Sequence, residues 1–367
     1  MQIIYTADEI FTGTDWLPDH AIIVDDEIIT DVLPVISLPK NAVVKKHTPI
    51  IAPAFIDVQI YGAAQKLFAV YPTIESLQML YEHSIAGGTH YFLPTVATNT
   101  YKVFYQCIDA VKSYWDKKGK GIIGLHIEGP WINKLKRGAH IESLIHSPSL
   151  QEVKDLLAYG KGVIKIITLA PEVCSKEVID CILENDIIIS AGHSNATYQQ
   201  GVDAFDNGIL SATHLFNAMS PLHHREPGLP AAVMQYPTVM ASIIPDGYHV
   251  DFKMINIAKK LMGERLFIIT DAVTETNEGL YPHHFAGDTD GSRYEANGIL
   301  SGSALTMIKG IKNLVDNAGI ELSEAFRMAS LYPARLLGMS DKSGMIKKGY
   351  KAGIVFLNKD LTVINNN

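Results

Sequence analysis

Four side chains that could bind a metal ion or carry a proton each follow a short apolar run of the sequence. They are Glu128, His193, His214 and Asp271. One carboxylate and two imidazoles are a ligand set of catalytic metal sites, which keep a further position for water. Asp271 could then carry the proton that the activated water releases. The sequence therefore predicts a metal-dependent hydrolytic site, provided that the fold brings the four side chains together.

Each histidine taken alone is better explained as a packed core or rim residue, so the prediction depends on all four groups occurring together. His126 lies two residues before Glu128 and shares its side of a strand. We interpret His126 as a structural residue rather than a ligand. His223 and His224 are expected to be surface residues.

The elements that would position these groups form a repeating pattern from residue 50 onwards. Short β-branched runs alternate with longer amphipathic segments, which indicates βα units and a parallel sheet. The eight predicted strands span residues 51–59, 91–97, 122–128, 163–170, 187–193, 211–215, 239–245 and 265–271. Eight units predict an α/β fold of the (β/α)8 TIM barrel type, in which catalytic side chains come from the carboxyl ends of several strands. In that fold the four groups share one mouth.

Helix start signals and the chain ends complete the predicted architecture. Thr73, Thr100, Thr197 and Asp251 precede predicted helices that extend to residues 86, 115, 207 and 262. Two more helices are predicted over residues 303–317 and 323–337. Residues 1–49 and 344–367 contain short strand-like runs, and we expect them to form one small β domain. The barrel domain then spans residues 50–343.

Composition narrows the class of protein. With 47% apolar residues and no low-complexity run, the 367-residue chain is predicted to be globular rather than disordered. No apolar run reaches the length of a membrane span, and residues 1–11 lack the basic start of a signal peptide, so we expect a cytoplasmic protein. The net charge of -8 disfavours nucleic acid as a partner. The three cysteines have no CxxC spacing and are interpreted as reduced thiols.

Five segments resemble the amidohydrolase superfamily and, within it, the N-acetylglucosamine-6-phosphate deacetylase family. They are residues 124–130, 138–140, 192–198, 213–219 and 225–228, and the resemblance extends from Pro53 to Arg335. The superfamily usually places His-x-His at the end of the first strand, where it holds a second metal ion. This chain has Gln59-Ile-Tyr61 there. The resemblance therefore implies one divalent metal ion per chain, zinc first, with Fe2+ or another first-row ion left open.

The family's activity supplies expectations for the other residues. The resemblance implies that activated water deacetylates N-acetylglucosamine 6-phosphate in amino-sugar catabolism, with Asp271 as general base and then general acid. His140 would help to hold the substrate carbonyl. The implied substrate-binding residues are Asn217, Ala218, Arg225 and His249 around the phosphate, together with Ala139, Gln59, Leu305 and Met307. The resemblance also implies a homodimer, with Arg225 acting either at the site of its own chain or at that of the neighbouring subunit.

Some positions depart from the family pattern. Ala54 stands where the family often has glycine, and residues 281–297, which we interpret as a flap, match poorly. Leu305 and Met307 are therefore only candidates for the lining of the N-acetyl pocket. Two other functions stay open: an amidohydrolase acting on an N-acyl amino acid or a cyclic amide, and a catalytically silent barrel that binds a ligand or partner.

Overall fold

The computed structural model of the protein describes residues 2–285, 293–296 and 298–364. Within those residues the chain forms eighteen β-strands, ten α-helices and five short 3-10 helices. The strands are β1 (Ile3–Phe11), β2 (Trp16–Asp25), β3 (Ile28–Pro34), β4 (Val44–Pro53), β5 (Phe55–Ile60), β6 (Gly62–Ala63), β7 (Lys66–Leu67), β8 (Thr89–Ala97), β9 (Leu125–Glu128), β10 (Ile164–Leu169), β11 (Ile188–Ala191), β12 (Ser211–Ala212), β13 (Met240–Ile243), β14 (Leu266–Ile268), β15 (His284–Phe285), β16 (Arg293–Ala296), β17 (Ile299–Ser303) and β18 (Ile354–Leu357). The α-helices are α1 (Ile74–Ala86), α2 (Tyr101–Asp116), α3 (Leu150–Tyr159), α4 (Lys176–Leu183), α5 (Tyr198–Asp206), α6 (Gly228–Gln235), α7 (Phe252–Met262), α8 (Met307–Asp316), α9 (Leu322–Ala329) and α10 (Leu331–Leu336). The 3-10 helices are Val35–Ser37, Lys134–Lys136, Glu142–Leu144, Pro171–Val173 and Gly263–Arg265.

Eight of the strands form a parallel barrel, which confirms the predicted fold. Their order is β5-β8-β9-β10-β11-β12-β13-β14, so each strand pairs with the next barrel strand along the chain. The barrel closes between its first and last strands. There the Tyr61 amide donates to the Ala272 carbonyl at 2.8 Å, and the Asp271 amide donates to the Gln59 carbonyl at 3.0 Å. The carboxyl ends of all eight strands therefore meet at one mouth.

Several barrel strands end earlier than the sequence predicted. β11, β12 and β14 stop shortly before His193, His214 and Asp271 respectively. The φ angles of these three residues are +47°, +36° and +52°, in the left-handed region that L residues rarely adopt. The apolar pattern continues over these positions, but the backbone has already turned out of the strand. Such conformations persist only where the surroundings enforce them, and they cluster at functional sites.

The first predicted barrel strand, residues 51–59, is divided between two sheets. β4 lies in a sheet of order β18-β4-β1-β2-β3, whereas β5 begins the barrel immediately after Ala54. The Ala54 amide donates to the Gly353 carbonyl at 3.0 Å, which ties the junction to the chain's other end. Both termini thus build one small sheet, as predicted. Its core is separate from that of the barrel and contains Ile10, Ile22 and Phe356.

The helices begin at the predicted caps. The side chains of Thr73, Thr100 and Thr197 each accept a hydrogen bond from the backbone amide three residues later. Two helix predictions need correction. Residues 323–337 form two helices, because the backbone at Ser330 leaves the helical region (φ -129°, ψ -71°). The helix predicted over residues 303–317 begins only at Met307, since β17 occupies residues up to Ser303.

The segment interpreted as a flap, residues 281–297, contributes strands to an antiparallel sheet of order β15-β16-β17. Residues 286–292 and 297 of this segment lie outside the described residues. β17 returns the chain to the barrel mouth, where the Ser303 amide donates to the Asp271 carbonyl at 2.9 Å. Among the helices of the described ranges, none combines the length and the apolar character needed to cross a membrane.

Candidate metal centre and active site

A cavity of about 380 Å³ opens at the carboxyl ends of the barrel strands. Its lining includes Glu128, His193, His214 and Asp271. Each is almost completely buried, with exposures of 2%, 6%, 4% and 7% respectively. A cavity of this size suits a small organic ligand. The fold thus gathers the four groups that the sequence singled out at one buried site.

Three of these groups direct ligand atoms at one point. Glu128 Oε1 lies 3.1 Å from His214 Nε2 and 3.3 Å from His193 Nε2, and the two Nε2 atoms are 3.1 Å apart. Tetrahedral ligands at bond lengths of about 2.0–2.1 Å are about 3.3–3.4 Å from one another. The triangle therefore fits one divalent metal ion, which would also offset the repulsion between the facing imidazole lone pairs.

The two imidazoles are prepared for metal binding in different ways. His193 Nδ1 lies 2.9 Å from the Lys136 carbonyl oxygen, so Nδ1 donates its proton there and Nε2 keeps its lone pair. Burial lowers the pKa of His214, with His193 nearby acting in the same direction. His214 is therefore held in the neutral form that a metal ion requires.

His140 stands on the other oxygen of Glu128. Its Nε2 is 3.3 Å from Glu128 Oε2, and its Nδ1 is 2.7 Å from Thr98 Oγ1. Burial and the neighbouring His193 lower the pKa of His140 to about 4, so the ring is neutral near pH 7. Glu128, His140 and His193 also lie close enough together to hold an ion. Two ligand sets that share Glu128 and His193 are thus compatible with the geometry.

The two carboxylates of the site have opposite electrostatic surroundings. Burial alone would raise the pKa of Glu128, but the surrounding imidazoles outweigh burial and hold it well below its ordinary value. For Asp271, burial comes first and neighbouring carboxylates add to it, so its pKa is raised well above the ordinary value. Glu128 is consequently ionised near neutral pH, as a ligand must be, and Asp271 readily takes up a proton.

Gln59 lies beneath the site and bridges these carboxylates. Its Nε2 is 2.7 Å from Asp271 Oδ1, 3.1 Å from Glu128 Oε1 and 2.9 Å from the Tyr61 hydroxyl. The Tyr61 hydroxyl in turn donates to Glu128 Oε2. Burial, with Glu128 and Asp271 adding to it, raises the pKa of Tyr61 well above its ordinary value. Gln59 was expected to contact substrate, but the structure directs its amide at protein oxygens instead.

Another part of the lining holds residues expected around a phosphate group. Asn217, Ala218 and His249 line the cavity, as does Ala139. His249 Nδ1 is 2.5 Å from Asp246 Oδ2, which leaves the Nε2 atom of this ring for a ligand. The structure therefore brings these predicted residues to the same cavity as the metal triangle.

The backbone from His214 to Ala218 has an unusual conformation. Every second residue is left-handed, with φ of +36° at His214, +79° at Phe216 and +50° at Ala218. Within this turn the Leu215 amide donates to the Ser242 carbonyl at 2.8 Å, and the Asn217 amide donates to the His214 carbonyl at 2.9 Å. These bonds hold Asn217 and Ala218 at the cavity wall, next to His214.

Arg225 is not brought to the cavity of its own chain. It lies in an exposed stretch, residues 221–226, and is absent from the described residues that line the cavity. His223 and His224 are exposed beside it, as predicted. Among the predicted phosphate contacts, Arg225 alone is thus separated from the others.

The expectation that Leu305 and Met307 line the N-acetyl pocket is corrected by the structure. Both side chains are 1% exposed and belong to the hydrophobic core of the barrel. The chain turns inwards after β17, and the Leu305 amide donates to Ser303 Oγ at 3.0 Å. Residues 299–302 line the cavity in their place, together with Tyr281 and His283.

His126 has the structural role expected of it. Its Nδ1 is 2.9 Å from the Val58 carbonyl oxygen, and its Nε2 is 2.8 Å from Thr168 Oγ1. Burial lowers its pKa to about 4, so the ring is neutral near pH 7, and its two contacts link β5 to β10. Both ring nitrogens have protein partners, which leaves neither for a metal ion.

Three contacting groups were not predicted from the sequence: the Tyr61 hydroxyl, the Thr98 side chain and the Lys136 carbonyl. A signal existed for Tyr61, because a residue two positions after Gln59 at a strand end faces the same side. Thr98 and Lys136 offer no comparable signal. Their contacts depend on how two loops, residues 98–100 and 129–140, pass each other above the barrel.

A parallel eight-stranded barrel with a carboxylate and imidazoles gathered at its strand ends defines a class of metal-dependent hydrolases. Comparison with known proteins agrees with this classification. Residues 50–367 match the family model described as amidohydrolase family, and residues 4–47 match the NagA composite domain. The chain belongs to the amidohydrolase family.

Relatives of known activity cover nearly the whole chain. An N-acetylglucosamine-6-phosphate deacetylase from Haemophilus influenzae is 34% identical, covering 97% of this chain and 95% of that protein. An N-acetylgalactosamine-6-phosphate deacetylase from Escherichia coli is 29% identical over 99% of this chain and 97% of its own length. The crystal structure of N-acetylglucosamine-6-phosphate deacetylase from Pasteurella multocida has a TM-score of 0.91 at 32% identity, covering 99% of this chain and 97% of that one.

Proposed function

We propose that the protein is a metal-dependent deacetylase that converts N-acetylglucosamine 6-phosphate to glucosamine 6-phosphate and acetate in amino-sugar catabolism. The observation that carries the proposal is the buried triangle of Glu128, His193 and His214 beside Asp271, in a cavity that is also lined by Asn217, Ala218 and His249. The names of the relatives support the same reaction. An amide substrate without a phosphate would leave Nε2 of the His249 ring without a ligand.

Glu128, His193 and His214 are the proposed ligands of one divalent metal ion, for which zinc is the first choice. The closed triangle of atoms on Glu128 Oε1 supports this set, whereas His140 faces Oε2. His214→Asn should abolish metal binding, measured by elemental analysis of the purified protein. His140→Asn should keep the ion and lower kcat. Loss of the ion from the His140 variant alone would favour the other ligand set.

Each remaining group has a defined task. When bound, the ion supplies a Lewis acid that lowers the pKa of water and polarises the acetamide carbonyl. Asp271 accepts the proton of the attacking water and then delivers it to the leaving amine. Gln59 holds Asp271 in position through Oδ1. These tasks account for the buried polar groups at the mouths of the first and eighth barrel strands.

His140 is the proposed donor to the substrate carbonyl oxygen. The Thr98 amide donates to Nδ1 of this ring at 3.4 Å, so the ring proton is on Nε2, the atom that faces the cavity's carboxylates. The ring is neutral near pH 7, because its pKa is about 4. A donor fixed at this place stabilises the negative charge that develops on the carbonyl oxygen.

The 6-phosphate is proposed to lie against Asn217, Ala218 and His249, with Arg225 supplied by the partner subunit of a homodimer. Support comes from the exposure of Arg225 and from the lining of its own cavity, which contains no arginine among the described residues. Arginine suits a phosphate because its fork donates two parallel hydrogen bonds. A site completed across subunits would make dimerisation a requirement for activity.

The reaction is tested by acetate release from N-acetylglucosamine 6-phosphate, with the galactosamine epimer and unphosphorylated N-acetylglucosamine measured in parallel. We expect turnover of the glucosamine phosphate that a chelator abolishes and added Zn2+ restores. The epimer is included because one relative is named for it. Absence of both bound metal and acetate release would instead favour a barrel that only binds ligands.

The phosphate contact is tested by Arg225→Ala. The variant should raise KM for the phosphorylated substrate far more than for the unphosphorylated sugar, and equal effects would contradict the assignment. Co-expression with Asp271→Asn chains then tests the subunit arrangement. In mixed dimers the site with intact Asp271 receives Arg225 from its partner, so activity should exceed that of either variant alone. No gain would mean that Arg225 acts within its own chain.

A further inference from the structure

The hydroxyl of Tyr61 contacts a residue of the proposed metal centre, and the proposed function gives it no role. It donates to Glu128 Oε2. The other oxygen of the same carboxylate, Oε1, is the atom 3.1 Å from His214 Nε2 and 3.3 Å from His193 Nε2. The two oxygens of Glu128 therefore have different partners: Oε1 faces the imidazoles of His193 and His214, and Oε2 faces the Tyr61 hydroxyl and the imidazole of His140.

Tyr61 is fixed in place before any ligand binds. Its backbone amide donates to the Ala272 carbonyl at 2.8 Å, and its carbonyl accepts a hydrogen bond from the Phe68 amide at 2.9 Å. Its hydroxyl is also 2.9 Å from Gln59 Nε2. A donor held at three points costs little additional ordering when it positions a neighbouring side chain.

We propose that Tyr61 is a positioning residue of the metal centre, whose hydroxyl holds Glu128 Oε2 so that Glu128 presents Oε1 alone to the ion. The inference rests on the metal site proposed above. A carboxylate binds an ion through one oxygen or through both, and a hydrogen bond on the second oxygen favours the first mode. Binding through one oxygen keeps a coordination position open for water and substrate.

The variant Tyr61→Phe removes the hydroxyl and keeps the ring. Wild-type and variant proteins compete with a chelator for Zn2+, and the visible absorption of their Co2+-loaded forms is recorded. We expect Zn2+ affinity to fall by about 10–100-fold, the size typical for groups that orient metal ligands. The Co2+ spectrum should also change, because Oε2 then keeps only the longer contact with His140 Nε2 and is less firmly held away from the ion. KM should stay within about twofold, since substrate binding is not the affected step.

Tyr281→Phe is the matched control. Tyr281, like Tyr61, lines the cavity, but its hydroxyl donates to the Thr98 carbonyl rather than to Glu128. Removing it should leave Zn2+ affinity and the Co2+ spectrum unchanged. For every protein the rise in Tm on adding Zn2+ is compared with its own metal-free form, so a destabilised variant still reports its metal affinity.

Wild-type Zn2+ affinity and an unchanged Co2+ spectrum in Tyr61→Phe would overturn the proposal. A higher KM with unchanged metal affinity would also overturn it, because Tyr61 would then contact the substrate directly. Failure of the proposed function can be distinguished from failure of this inference. If the wild-type protein binds Zn2+ but releases no acetate, only the proposed function is contradicted. A wild-type protein that binds no metal ion would overturn both.

Discussion

The carboxyl ends of β9 and β14 each place one buried carboxylate at the same cavity, Glu128 and Asp271 respectively. The surroundings of Glu128 stabilise its ionised form, whereas those of Asp271 destabilise its ionised form. Around Glu128, three imidazole nitrogens lie within 3.3 Å of its oxygens. Around Asp271, the other charged groups that affect its pKa are carboxylates, and Gln59 offers the opposing hydrogen bond. The pKa is consequently well below its ordinary value at Glu128 and well above it at Asp271.

The difference supports the two separate tasks proposed for these carboxylates. A metal ligand must stay ionised, whereas a proton carrier must change its protonation state during the reaction. Pairs of titratable groups whose surroundings drive their pKa values apart are the usual acid and base of an active site. The opposite pKa shifts of Glu128 and Asp271 support the proposal of a ligand and a proton carrier, and the predictions below test these two carboxylates and their neighbours.

Glu128→Gln should have the largest effect. The amide cannot replace an ionised ligand, so we expect loss of the metal ion and a fall in kcat/KM of about 10⁴-fold or more, since both carbonyl polarisation and water activation depend on the ion. Metal content and turnover are measured on the same preparation. Retention of the ion would contradict the proposed role of Glu128, because Glu128 would then be dispensable as a ligand.

Asp271→Asn should have the next largest effect. Removing a general base lowers kcat by about 10²–10⁴-fold, while metal content and KM should change little. Steady-state kinetics on protein of known metal content gives both quantities. If the ion is lost together with activity, Asp271 is a ligand and the contrast with Glu128 disappears.

Gln59→Leu should shift the pH profile rather than abolish activity. Its hydrogen bond to Asp271 Oδ1 favours the ionised form, so its removal raises the Asp271 pKa further. The acid limb of kcat/KM should move to higher pH by about one to two units, the equivalent of a hydrogen bond to a charged group. A shift to lower pH would show that Gln59 does not stabilise the ionised form of Asp271.

Asp57→Asn should affect stability and its pH dependence, with the smallest effect on activity. Burial raises the pKa of Asp57 to about 7, although Thr270 and the Gln59 amide oppose this with hydrogen bonds. A raised folded-state pKa stabilises the protein below the unfolded value, near pH 4, and this contribution is lost as the pH rises to about 7.

Between pH 5 and pH 8 the wild-type protein should therefore lose about 3 kcal/mol of unfolding free energy relative to the variant, at about 1.4 kcal/mol per pH unit up to about pH 7. Denaturant titrations of both proteins at pH 5 and pH 8 measure the difference. Parallel pH dependence in the two proteins would mean that Asp57 is ionised in the folded state at both pH values.

Much of the site was predictable because strand ends are visible in the sequence. Glu128, His193, His214 and Asp271 each follow an apolar run, and a parallel barrel brings such positions to one mouth. Leu305 and Met307 were wrong candidates, because their apolar character fits a core as well as a cavity wall. A local pattern does not distinguish these two surroundings.

The contacts that distinguish the tasks of these groups were not predictable. Gln59 and Glu128 are 69 positions apart in the sequence, and Gln59 and Asp271 are 212 apart. The different partners of the two Glu128 oxygens and the separation of Arg225 from its own cavity likewise depend on how distant segments pack. Hydrophobic periodicity reports only on neighbours within one strand or helix.

The amino-acid sequence by itself determined the barrel, the small sheet built from both termini and the residue types at the strand ends, because periodicity and strand termination are local properties of the chain. The tertiary structure alone decided which atoms face one another. It thereby decided that Glu128 stays ionised and Asp271 is driven towards its protonated form, since a pKa depends on burial and on charges a few ångströms away, whatever their separation along the chain.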